Sequence, residues 1–212
     1  MSMQSLDHES LFMGLAIELA RAAYDNDEVP VGAVIVQKRN NEVISAFSNQ
    51  MRKQKSSIAH AEMLAIQNAN KIIDNERLIG CEMFVSLEPC PMCAHAISIS
   101  RLDALHFAAE DPKGGGVIHG PKIFESSSCH HKPKVKYGLM ADESSNLLRS
   151  FFQSKRLKSL LIGWVAISFS MMGKGPIGFV IPITIITIDL LYNGKIRYIW
   201  DRRMFLGVLI CL

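Results

Sequence analysis

Residues 86–101 read SLEPCPMCAHAISISR. Pro89 precedes Cys90 and Pro91 follows it. A residue before proline is pushed toward extended backbone, whereas proline itself suits the first position of a helix. The stretch therefore predicts a strand end, EMFVSL at 82–87, then a helix over 91–100 with Cys90 as its cap. Cys90 and Cys93 lie three apart, so they share a helical face and aim both sulfurs at one point. A helix N-terminus also favours the thiolate, which is the form that binds a metal. Taken alone, the pair reads equally well as metal ligands, a redox couple or buried thiols.

A second stretch, AHAEMLAIQ at 59–67, narrows the choice. Two sulfurs do not complete a zinc site, which takes four ligands when structural and three plus a water when catalytic. His60 opens a helix predicted to run to Ile73 and supplies a third ligand, with Glu62 beside it. One coordination position is then left for a water, and a carboxylate stands ready to shuttle its proton. His-x-Glu followed by Pro-Cys-x-x-Cys is the pattern of zinc nucleobase deaminases.

Working outward, GAVIVQ at 32–37 is an apolar, β-branched run and reads as a buried strand. EVISAFS at 42–48 alternates and pairs with it across the polar KRNN turn. ALHFAA at 104–109 is a further strand, and KGGGVIHG at 113–120 a loop. Leu11, Phe12, Leu15, Ala16 and Leu19 mark one face of a first helix and are expected in the core. Residues 143–158 form a last amphipathic helix. Alternating strands and helices predict an α/β layered fold with its motifs at strand–helix junctions.

The chain resembles the bacterial tRNA-specific adenosine deaminases, within the cytidine and deoxycytidylate deaminase superfamily. The resemblance covers roughly residues 8–158 and rests on EVPVGAVIV at 28–36, HAEMLAI at 60–66, SLEPCPMCAHAI at 86–97, DPKGGGVIHG at 111–120 and FFQSKR at 151–156. It implies a cytidine-deaminase-like three-layer α/β/α fold with a mixed sheet of about five strands. His60, Cys90 and Cys93 would bind Zn2+, and Glu62 would move protons from the attacking water to N1 of adenine and to the departing ammonia. Asn49 would hydrogen-bond the nucleoside, and Asp111 would lie near the substrate backbone and sugar. The implied product is inosine at the first anticodon position of a tRNA, made by a cytoplasmic homodimer. Gln50 stands where the family more often has arginine, and Ala108 where glycine is common.

Composition bounds the alternatives. The chain has 212 residues, 49% of them hydrophobic, and a net charge of +3, which permits a nucleic-acid partner without arguing for one. Five cysteines without regular spacing do not make a disulfide scaffold. MSMQSLDHESLFMG lacks the basic start and long apolar run of a signal peptide, so a reducing cytoplasm is the expectation. Arg52, Lys53 and Lys55, then Lys132, Lys134 and Lys136, then Lys155, Arg156 and Lys158 are candidate phosphate contacts, and equally ordinary solvated surface. Asn49 and Asp111 are also good turn residues. Cys129, His130 and His131 suggest a second metal site less strongly than a plain or substrate-facing loop. Rival functions are deamination of a free base or nucleotide, and a nucleic-acid-binding module stabilised by structural zinc.

Composition breaks near Lys158, which divides a deaminase domain at 1–158 from a hydrophobic tail at 159–212. Apolar runs at 160–172 and 175–188 each fall short of the roughly 20 residues a spanning helix needs. Joining them would place Lys174 mid-membrane, which is expensive. A membrane anchor, an extra packed element and a stretch without a selected role, such as a shifted or read-through frame, all fit. The abrupt change favours the last.

Overall fold

The computed structural model describes residues 3–174, and side chains from His8 to Leu160 together with Ile162. In chain order the elements are α1 (Met3–Asp25), β1 (Gly32–Gln37), β2 (Glu42–Ser48), α2 (Ala61–Ile73), β3 (Cys81–Leu87), α3 (Pro91–Ile99), β4 (Ala104–Ala109), a 3-10 turn at Ile123–Glu125, β5 (Lys134–Tyr137) and α4 (Ala141–Lys174). The chain divides into two compact units, Met1–Phe151 and a second that begins at Phe152. The sheet, α1 to α3 and the candidate metal, catalytic and nucleoside-binding residues belong to the first.

Alternation along the central strands makes the layers. Successive side chains on a strand point to opposite faces. Ala33 and Ile35 of β1, Met83 and Val85 of β3, and Leu105 and Phe107 of β4 face a core shared with Ala61, Ala65 and Ala69 of α2 and Ala94 and Ile97 of α3. Val34, Val36, Phe84 and Ala108 point the other way, onto Phe12, Met13, Ala16 and Ile17 of α1. The result is the expected three-layer α/β/α arrangement around a mixed sheet of order β2-β1-β3-β4-β5.

Strand direction then gathers the site. β1 is antiparallel to both β2 and β3, and β3 is parallel to β4. Hence β2, β3 and β4 all end at one edge of the sheet, where β1 begins, as the pairs Gly32↔Ser48 and Leu87↔Ala109 record. Residues 28–31, 49–60, 88–90 and 110–119 all leave or enter that edge. It is the place where open α/β sheets carry their ligands.

Two expectations need correction, and one strand carries no clear sequence signal. The buried face of α1 is Phe12, Met13, Ala16, Ile17, Ala20 and Ala23, whereas Leu11 and Leu15 are 60% and 41% exposed. Residues 11–17 read LFMGLAI without a polar side chain, so the 3.6-residue period admits two adjacent stripes there, and contact with the sheet selects one. The edge strand β5 reads Lys-Val-Lys-Tyr, too short and too charged to announce a strand by itself. Its register against Ala104–Phe107, with Tyr137 stacked on Phe107 at 5.1 Å between centroids, makes it a strand, and its lysines guard an open edge. The last helix does not stop at Lys158 but continues to Lys174, since no proline interrupts it before Pro176. Among the described residues no helix is long and apolar enough to cross a membrane. The tail's residues 175–212, including the second apolar run, lie outside the described residues.

Candidate metal centre

His60 and Cys90 are both N-cap residues, of α2 and α3 respectively, and both have extended backbone (φ −69°, ψ 152° and φ −65°, ψ 167°). Neither side chain caps its own helix. The backbone carbonyls make the first helical bonds instead, to Leu64 N at 3.0 Å and Ala94 N at 2.8 Å. Both side chains are thereby left for another task. Pro91 takes the first position of α3, as its fixed φ allows, and Cys93 sits one turn in with no exposed surface.

The three side chains converge. His60 Nδ1 lies 3.7 Å from Cys90 Sγ and 3.5 Å from Cys93 Sγ, and all three ligand atoms fall within 4.8 Å of one another. They form a group able to hold one metal ion, and no other such group occurs among the described residues. Cys90 is held down to about 4, first by the hydrogen bond from Cys93 and then by His60, against the cost of burial. Cys93 is pushed up by its bond to Cys90 and by burial. His60 is raised by its bond to Cys90. An imidazole and two close sulfurs that compete for protons in this way describe a donor set suited to a cation.

Glu62 stands at the second position of α2 with 4% of its surface exposed. Burial raises its carboxyl pKa, while its own backbone N–H and His60 pull the other way. Two residues after His60 in the first turn of α2, it is close enough for His60 and Cys90 to act on its carboxyl electrostatically. A carboxyl raised by burial beside a candidate metal site is suited to taking and returning a proton.

The family of the chain follows from comparison. Residues 6–109 match the model of the cytidine and deoxycytidylate deaminase zinc-binding region. The tRNA-specific adenosine deaminase of Agrobacterium fabrum is 46% identical over 146 residues, covering 69% of this chain and 95% of that one. The chain belongs to the tRNA-specific adenosine deaminase family. Its relative in Bacillus subtilis is 39% identical over 72% of this chain and 94% of its own length. A solved structure from work on A-to-I editing by tRNA:A34 deaminases at the wobble position shares 44% identity and a TM-score of 0.63, over 65% of this chain and 98% of that one. A guanine deaminase from Nitrosomonas europaea shares 27% identity and a TM-score of 0.60, over 67% and 83% of the two chains.

In this member of the tRNA-specific adenosine deaminase family, the remaining candidate residues sit at the same sheet edge. Asn49 follows β2 and is 4% exposed. Its Nδ2 donates to Glu28 Oε2 at 3.3 Å, and Glu28, itself 3% exposed, also accepts the Lys53 backbone N–H at 2.8 Å. Asp111 follows β4, and its Oδ1 accepts the N–H groups of Lys113 (3.1 Å) and Gly114 (3.0 Å). That is an Asx turn, so much of its carboxylate is spent on shaping its own loop.

Sequence reasoning passed over two carboxylates. Glu28 precedes a buried strand in EVPVG, and Glu88 lies two residues before Cys90 at the end of β3. An acidic residue bordering an apolar strand is the signal that would have found both, because a buried carboxylate needs several donors. Arg52, from the first basic cluster, pairs with Asp27, and Lys136 of the second pairs with Glu9 at 2.6 Å. Cys129 and His131 pin their loop to α3 and to the start of β4, while His130 is exposed. Ser98 Oγ donates to the His131 carbonyl at 2.7 Å, and the Cys129 thiol reaches the same carbonyl at 3.2 Å. His131 Nε2 donates to the Leu102 carbonyl at 2.6 Å.

Proposed function

We propose that the protein hydrolyses adenosine to inosine, with release of ammonia, at the wobble position of a tRNA anticodon, and that residues 1–158 carry the activity. His60, Cys90 and Cys93 hold a zinc ion in this reading. The observation that supports zinc is the spacing of the donors. Bonds of about 2.3 Å to sulfur and about 2.0 Å to nitrogen at tetrahedral angles set nitrogen and sulfur about 3.5 Å apart. The separations found are 3.5 and 3.7 Å. When bound, zinc polarises a water so that it is acidic enough to attack at neutral pH.

The chain's own groups do the rest. Glu62, dry and raised by burial, takes the proton of the attacking water and gives it to adenine N1. It then takes the proton of the new C6 hydroxyl, as the C6 carbonyl forms, and gives it to the amino group, which leaves as ammonia. Asn49 hydrogen-bonds the nucleoside from the end of β2, and the loop at 110–119 meets the flanking sugar and phosphate through Asp111 and Lys113. The target base must leave its stack, at a cost of about a few kcal/mol, and the cost is least in a single-stranded loop such as an anticodon's. A homodimer in the cytoplasm is the setting consistent with this substrate.

The family membership carries this reading, and the experiment is direct. Purified protein is incubated with an anticodon stem-loop bearing adenosine at the wobble position, and each base is then identified. Inosine at that position alone is expected. Its absence, or faster release of ammonia from free guanine or cytosine than from the RNA, would favour the free-base reading to which the 27% likeness to a guanine deaminase points.

A further inference from the structure

Beyond the metal group, the densest polar cluster at the sheet edge is built on Glu88. Its side chain has no exposed surface. Oε1 accepts the backbone N–H groups of Val117 (3.1 Å), Ile118 (2.9 Å) and His119 (3.0 Å). Oε2 accepts the Asp111 N–H at 3.0 Å and meets His119 Nδ1 at 2.7 Å. A carboxylate with four backbone donors is held ionised and can only accept, so Nδ1 of His119 carries the proton. One buried group thus ties together both ends of the loop from 111 to 119.

The loop so held is pressed against the metal-bearing corner. Gly116 N donates to Pro89 O at 2.8 Å. A Cβ on Gly116 would come within 2.6 Å of Pro91 N, and one on Gly115 within 2.4 Å of Glu88 Cδ. The loop therefore lies on the Cys90–Pro91 backbone with no room for a side chain between them. Among the described residues, His119 is the one side chain that closes the ring of donors. It is also half-buried, with its Nε2 facing Glu110 Oε2 at 3.8 Å.

We infer that His119 is a positioning residue for the RNA substrate: its Nδ1–H, bonded to buried Glu88, locks the loop that carries Asp111 and Lys113 beside Cys90. The inference rests on the tRNA deaminase reading and extends it. The loop grips substrate, while Glu62 and the metal ligands stand on α2 and α3, outside it. Loosening the loop weakens binding and spares the chemical step.

The test uses three variants of the full chain. In His119→Asn the amide nitrogen lies where Nδ1 lies, so the bond to Glu88 is kept. In His119→Gln it lies nearer to Nε2, and in His119→Ala it is absent. His119→Ala and His119→Gln should raise KM for the anticodon stem-loop about tenfold, the effect of losing one charge-assisted hydrogen bond. Their kcat should stay within about twofold and zinc per chain should not change. Amide hydrogen exchange over residues 111–119 should accelerate in the same two variants, and His119→Asn should behave as wild type in every measurement. Unchanged KM and exchange in His119→Ala would overturn the inference. So would activity retained in His119→Gln but lost in His119→Asn, which would mean that Nε2 acts on substrate directly. Failure of the wild type to make inosine would defeat the functional reading instead, and the exchange comparison would still decide whether His119 locks the loop.

Discussion

Asn49 Nδ2 donates to the carboxylate of Glu28 at 3.3 Å, with both side chains buried. A carboxylate accepts and cannot donate, so this contact fixes which way the Asn49 amide points. Its Oδ1 and its second N–H are left for another partner. Glu28→Ala removes the acceptor from this amide and from the Lys53 N–H together. Stability should fall by about 1–3 kcal/mol, the cost of stranding buried donors. KM for RNA should rise as the amide loses its orientation. Thermal unfolding and steady-state kinetics on the same preparation check both, and an unchanged KM would show that Glu28 serves the fold alone.

Glu62→Gln keeps shape and burial but cannot take a proton. Turnover should drop by about 10²–10⁴-fold, the usual contribution of a general acid–base group. Bound zinc and the unfolding midpoint should hold. A variant that retains more than about a tenth of wild-type kcat would remove Glu62 from the proton path.

Stripping the metal should abolish activity, and adding back zinc should restore it. Cys93→Ser should bind zinc far more weakly, because a hydroxyl is a poor substitute for a thiolate ligand. Zinc per chain, measured by atomic absorption after dialysis, reports this without reference to turnover. Stoichiometric zinc in Cys93→Ser would contradict the assigned ligand set.

On the opposite face of the sheet, His106 Nε2 lies 3.2 Å from Glu82 Oε2, and Lys38 lies 3.4 Å from the same carboxylate. His106 first, then Lys38, hold the Glu82 carboxyl below its ordinary pKa despite burial. A carboxyl depressed on folding adds stability above its unfolded pKa of about 4.3, and that stability is lost as pH falls through the lower folded value. Glu82→Gln should therefore lower stability at pH 7 and flatten the decline below about pH 4. Urea midpoints taken across pH 3–7 would show it, and parallel curves for the two proteins would count against the depressed pKa.

Two glycines should respond with opposite signs. Gly14 lies within α1, and a Cβ there meets nothing within 4 Å. Gly14→Ala should stabilise the protein by about 0.5–1 kcal/mol through helix propensity. Gly116→Ala places a methyl 2.6 Å from Pro91 N, in backbone that cannot step aside, and should lower both stability and zinc binding. Equal unfolding midpoints for the two variants would contradict this packing.

Much of the fold was legible in advance, because the sequence announces local preferences strongly where a residue has one job. Pro89-Cys90-Pro91 set the strand end and the helix start, β-branched runs marked the buried strands, and the His60, Glu62, Cys90 and Cys93 spacing pointed to a metal group. Those signals act over a few residues, through backbone sterics and side-chain period, and they survive without tertiary context. What only the tertiary structure decided was which surfaces meet. The sheet chose Phe12 and Met13 over Leu11 and Leu15, turned Lys134–Tyr137 into an edge strand, and drew Cys129 and His131 into a structural pin on Ser98 and Leu102. Glu28 and Glu88 became organising centres because loops distant in sequence bring their N–H groups to one buried carboxylate. A single residue's letter cannot carry that, since a buried charge is tolerable only when its partners arrive together.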